Sequence, residues 1–195
     1  MKTRYLLLAA ALCGSLAKAD DIRLGDPGYG GTGCPAGTVS ATLSPDALSL
    51  SLIFDQYQAK AGGVSGTSLD RKSCNIAIPV HVPQGFSVSV LKIDYRGYNN
   101  LPVGATSQFN VEYFFAGITG PKFYQKFNGP LDSDYQITNN LGVSALVWSA
   151  CGADVNLRTN SSIRVMSHGA EAMSTVDSAD VHAAIIYHLQ WRRCS

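Results

Sequence analysis

The chain has 195 residues, 46% of them hydrophobic and 15% charged, with 15 basic against 14 acidic side chains. That length suits one domain able to bury roughly two thirds of its unfolded surface, and the near-neutral charge excludes an electrostatic case for nucleic acid. Beyond residues 1–19 no apolar run approaches the roughly 20 residues of a membrane span, so no span is expected.

Lys2 and Arg4 precede an apolar run from Tyr5 to Leu16, and Ala17-Lys18-Ala19 supplies the small residues of a signal peptidase site. Residues 1–19 therefore read as a signal peptide, with Asp20 as the mature start. Removing Lys2, Arg4 and Lys18 leaves 12 basic residues against the 14 acidic ones, a mature charge of −2. Lipid attachment at Cys13 is disfavoured, because bacterial lipidation wants a small residue just before the cysteine and Leu12 is not one. With Cys13 gone, Cys34, Cys74, Cys151 and Cys194 remain. An even set in an exported chain favours two disulfides over metal or redox chemistry and implies a secreted, periplasmic or cell-surface location.

Residues 20–33 are Gly-rich and lack a hydrophobic period, which reads as a flexible lead-in to a single domain over 34–195. From Thr38 onward apolar residues recur with period 2 between Gly, Pro, Asn and Asp, and no helical period is sustained. Val39, Ala41 and Leu43 and then Leu48, Leu50, Leu52 and Phe54 form a hairpin about Ser44-Pro45-Asp46. Ile76, Ile78, Val80 and Val82 form the next strand, with Pro79 on the opposite phase as edge strands allow. The inward set Phe86, Val88, Val90 then slips one residue to Leu91, Ile93, Tyr95, which predicts a β-bulge near Val90. Further strands are predicted at Phe109 to Phe115, Lys122 to Phe127, Leu141 to Trp148, Val155 to Val165 and Val181 to Trp191, with a polar surface loop from Met166 to Asp180. About nine short strands indicate an all-β fold, a two-sheet antiparallel β-sandwich held by disulfides.

Trp148-Ser149-Ala150-Cys151 and Trp191-Arg192-Arg193-Cys194 place a tryptophan three residues before a cysteine at two strand ends, so Cys151 and Cys194 are read as a pair. Strand parity, which sets Cys34 and Cys74 where strands start at the other end, pairs those two. Together with Gly33-Cys34-Pro35-Ala36-Gly37-Thr38, Asp94-Tyr95-Arg96-Gly97-Tyr98 and the ending from Tyr187 to Cys194, these motifs resemble the secreted domain-of-unknown-function 4360 family of fungi and bacteria. The resemblance spans almost the whole mature chain and implies a small exported β domain with paired cysteines. It implies no activity.

Gly28-Tyr29-Gly30-Gly31-Thr32-Gly33 has the spacing of a dinucleotide loop, but Cys34-Pro35 stands where the helix should begin. Gly62-Gly63-Val64-Ser65-Gly66 is not a nucleophile elbow, so a hydrolase would need a site assembled in space. The histidines, His81, His168, His182 and His188, show no zinc spacing; Met166, His168, Met173 and His182 form a soft-ligand set suited to copper, read as chance clustering. Asp94 and Arg96 share a strand face, which suggests an ion pair beside a core Tyr95, while Arg96 with Tyr98 could serve a ligand by stacking and hydrogen bonding. Asn160-Ser161-Ser162 is an N-glycosylation sequon, relevant in a eukaryotic secretory route. The expectation is an exported, non-enzymatic module without a cofactor that binds a glycan or an envelope or secreted protein, or serves envelope structure. A secreted hydrolase or a copper protein is the alternative.

Overall fold

The computed structural model describes residues 22–115, 120–141, 146–176 and 184–194. The expected signal peptide, the strand start at Val181 to His182 and the copper candidate His182 lie outside the described residues. Among them, thirteen strands form two antiparallel sheets that pack as a sandwich. The six-stranded sheet contains β1 (Arg23–Leu24), β2 (Gly28–Gly30), β6 (Leu69–His81), β11 (Val155–Met166), β8 (Thr106–Phe115) and β9 (Lys122–Asn128). The seven-stranded sheet contains β3 (Val39–Leu43), β4 (Ser49–Phe54), β13 (Ile185–Arg193), β7 (Phe86–Leu101), β12 (Ala172–Thr175), β5 (Gln58–Ala61) and β10 (Leu131–Asn140). Strand β7 is the spine of the second sheet, flanked by β10 along one edge and by β13 and then β12 along the other.

The period-2 pattern builds the core. Leu50, Leu52 and Phe54 from β4, Ile76, Ile78 and Val80 from β6, and Phe109, Val111, Tyr113 and Phe115 from β8 are all buried between the sheets. Hydroxyls also cross this interior and fix the two sheets relative to each other. Tyr57 OH bonds Ser161 Oγ at 3.0 Å, Ser107 Oγ donates to Asn99 Oδ1 at 2.9 Å, and Thr159 bonds Tyr187. Such pairs satisfy groups whose burial alone would be unfavourable.

The bulge falls where the phase slip predicts it, since the β13–β7 register shifts between His188 and Leu189. Leu91 is the inserted residue and is 45% exposed, not inward as its phase suggested. Both cysteine pairs form, Cys34–Cys74 across 40 residues and Cys151–Cys194 across 43, with Cα atoms 5.4 and 6.0 Å apart. Loops of this length restrict the unfolded chain by about 4 kcal/mol each in the chain-entropy model. Parity reached the first pair by the wrong route: β6 starts at Leu69, so Cys74 is buried in mid-sheet and its bridge lies in the core.

Three other expectations are corrected. The lead-in is not a free tail from residue 22 onward, because β1 and β2 pair with β6 and a Cβ at Gly31 or Gly33 would meet Ser73 O at 2.1 Å or the Tyr57 ring at 2.4 Å. Its glycines serve close backbone packing, without the helix a dinucleotide loop needs. The stretch from Met166 to Asp180 is not all loop, since Met166 closes β11 and Ala172–Thr175 is β12, paired with β5 and β7. Of the strand expected over Leu141 to Trp148, the described part forms only a bridge from Trp148 to Ser89, and β10 supplies a strand the pattern did not announce.

Candidate functional site

Strand β7 carries Asp94, Arg96 and Tyr98 on the outer face of the seven-stranded sheet and Tyr95, fully buried, on the inner one. Asp94 is not paired with Arg96. Its Oδ2 accepts from His188 Nε2 at 2.7 Å, its Oδ1 accepts from the Thr138 hydroxyl at 2.5 Å, and Lys92 Nζ stands 3.9 Å away. These partners are fixed by register, Thr138 opposite Asp94 on β10 and His188 opposite Lys92 on β13. Burial raises the Asp94 pKa, but the bonds from Thr138 and His188 and the Lys92 charge outweigh it and hold the carboxyl below its ordinary value. His188 faces Ser49 across the β13–β4 register, and among the described residues no serine or cysteine is hydrogen-bonded to it.

The same stretch locks β10 and β12 in place. A Cβ at Gly97 would sit 2.1 Å from Thr175 O and 2.4 Å from Tyr135 OH, while Tyr135 OH donates to Thr175 O at 2.7 Å. Tyr98 N donates to Thr175 Oγ1 at 3.0 Å and its hydroxyl donates to Asp132, the carboxylate that raises its pKa. Tyr98 is thus engaged within the fold, beside Arg96, whose Nε is buried without a partner among the described residues. Of the soft-ligand set, Met166 lies on the outer face of the six-stranded sheet beside Arg164, whereas Met173 pairs with Asn100 on the outer face of the other sheet. The two thioethers are on opposite faces, and His168 is exposed in the loop between them. Trp191 packs against the core and donates to Ala47 O at 3.0 Å, and Trp148 holds the Arg192 guanidinium 4.1 Å above its ring.

The outer face of the six-stranded sheet is built differently. Register aligns side chains from β6, β11, β8 and β9 into rows: Arg71, Arg164, Gln108 and Lys126; then Ser73, Ser162, Asn110 and Tyr124; then Asn75, Asn160, Glu112 and Lys122. The last two rows line a shallow, open concavity of about 500 Å³ that also reaches Arg71. Glu112 is tied to Lys122 at 3.5 Å. The side chains of Ser73, Ser162, Asn110, Asn75 and Asn160 make no hydrogen bond to another described residue. They offer donors and acceptors in one plane, with the 54%-exposed Tyr124 ring at the rim. Reading single strands missed this site, because alternation shows that Asn160 and Ser162 point outward but not which residues lie beside them.

Two comparisons bear on these features. The family model described as "Domain of unknown function (DUF4360)" matches residues 20–194. A protein of Arthroderma benhamiae named "Uncharacterized secreted protein" is 38% identical over 185 residues, covering 93% of this chain and 76% of its own length. The motifs around the four paired cysteines and along β7 thus sit in a match that runs nearly end to end, and the chain belongs to the DUF4360 family.

Proposed function

We propose that this β-sandwich is a secreted, non-enzymatic glycan-binding module whose ligand lies on the outer face of the six-stranded sheet. One observation carries the reading: amide and hydroxyl side chains from three strands form an open concavity beside an exposed tyrosine on a fourth without satisfying one another. Sugars present hydroxyls on their edges and C–H groups on their faces, so coplanar polar groups with an adjacent ring suit them. A rigid sheet holds such groups in place before binding, which limits the ordering cost. Secretion is supported by the two disulfides, by the charged and apolar start of the chain and by the secreted relative.

The test uses the oxidised chain recovered from a bacterial periplasm, free of N-glycan, against soluble polysaccharides by affinity electrophoresis and calorimetry. Binding to at least one polysaccharide is expected, weakened at least tenfold by Asn110→Ala and by Tyr124→Ala while the unfolding transition stays in place. Absence of binding across acidic and neutral polymers, or binding indifferent to both substitutions, rejects the reading.

A further inference from the structure

From the basic row beside the concavity we infer that the ligand is an acidic polysaccharide, its uronic carboxylates held by Arg71 and Arg164; this rests on the glycan-binding reading above. Arg71 on β6 and Arg164 on β11 are direct cross-strand partners. Like charges placed so are destabilising, and no described carboxylate offsets them. Among the described residues Arg164 Nε is buried without a partner, and its Nη2 meets only the Met166 sulfur, at 3.1 Å. Lys126 extends the row on β9, opposite Gln108. Among the described residues in the aligned rows of these four strands, Glu112 is the single carboxylate, and Lys122 already pairs with it. A positive stripe on a mature chain of net charge −2 is therefore a local arrangement, not a reflection of overall composition.

The stripe fits the neighbouring surface. Strands lie about 4.8 Å apart, so the row from β6 to β9 spans about 14 Å, and the next outward row along each strand is about 6.7 Å away. A sugar ring over Asn110 and Tyr124 would project an acid group into the basic row. Guanidinium groups grip carboxylates through two parallel hydrogen bonds in one plane, a geometry that a lysine in their place would not supply. Binding would also relieve the Arg71–Arg164 repulsion.

The experiment titrates the unglycosylated periplasmic protein with polygalacturonate, dextran sulfate and a neutral β-glucan of similar length. Polygalacturonate is expected to bind at least tenfold tighter than the neutral polymer, and raising sodium chloride from about 0.05 to 0.5 M should remove most of that advantage, as screening requires. Arg164→Gln and Arg71→Gln should each lose at least tenfold in affinity for polygalacturonate, and Arg164→Gln, outside the concavity lining, should do so without lowering neutral-glucan affinity or thermal stability. Equal affinity for acidic and neutral polymers overturns the inference and leaves the glycan-binding reading standing. Tighter binding of dextran sulfate than of polygalacturonate overturns the carboxylate assignment, and failure of every polymer to bind removes both.

Discussion

On the outer face of the seven-stranded sheet Asp94 is held by His188, Thr138 and Lys92, and Tyr98 by Asp132 and Thr175. On the outer face of the six-stranded sheet, the side chains of Ser73, Ser162, Asn110, Asn75 and Asn160 make no hydrogen bond to another described residue, and two arginines stand opposed. Both faces are polar, and both are read off as outward positions of alternating strands. Polarity alone therefore does not mark a site. Polar groups that close on one another stabilise the fold, whereas groups left open on a rigid sheet are available to something else.

The sharpest way to break the comparison is Gly97→Ala, which drives a methyl group into Thr175 O and Tyr135. Overpacking of this kind should lower stability by about 3 kcal/mol, read as a shift in urea midpoint, with sugar affinity of the folded fraction unchanged. If Gly97→Ala is as stable as the parent, the β7–β12–β10 lock is not structural.

Asp94→Asn comes next, with an expected loss of about 1–3 kcal/mol for hydrogen bonds to a charged group. Because the folded Asp94 pKa lies below its ordinary value, its contribution should be complete above about pH 4, where the unfolded carboxylate is ionised. It should fade as pH falls through the lower folded value. Urea midpoints of parent and Asp94→Asn should thus converge on acidification, and a gap that widens below pH 4 would reverse the assignment.

On the open face the sign should change. Arg164→Gln removes one of two opposed charges and should raise stability by about 0.5 kcal/mol at low salt, an effect that shrinks when salt is added. The smallest effect belongs to Tyr124→Ala, whose exposed ring on edge strand β9 should move stability by no more than about 0.5 kcal/mol. A large loss from either substitution would show that this face, too, is architecture.

Much of the frame was legible from the residues. The β3–β4 hairpin, the bulge in β7 and the Cys151–Cys194 bridge follow from alternation, a phase slip and cysteine placement, whereas Cys74 lies in mid-strand and its pairing with Cys34 does not follow from strand parity. What escaped were strands whose inward positions are small or polar. β12 presents Ala172 and Ser174 to the interior, and β10 interrupts its inward set with Ser133 and Asn139, so neither shows a hydrophobic alternation. β2 is Gly28-Tyr29-Gly30, with one side chain to give a period. The candidate face escaped for another reason: it is a property of register across four strands, and a single strand carries no record of its neighbours.

Asn160 has a consequence for how this protein is made. It is the acceptor of a sequon, it is exposed, and it sits at mid-strand in the row between Asn75 and Glu112. A eukaryotic secretory host that attaches a glycan there would cover the concavity with the chain's own covalent sugar, leaving free polysaccharide to compete with a tethered rival at high local concentration. Material from such a host and material from bacteria would then share a sequence and a fold yet differ in what they can hold, and the choice of expression host becomes part of the biochemistry.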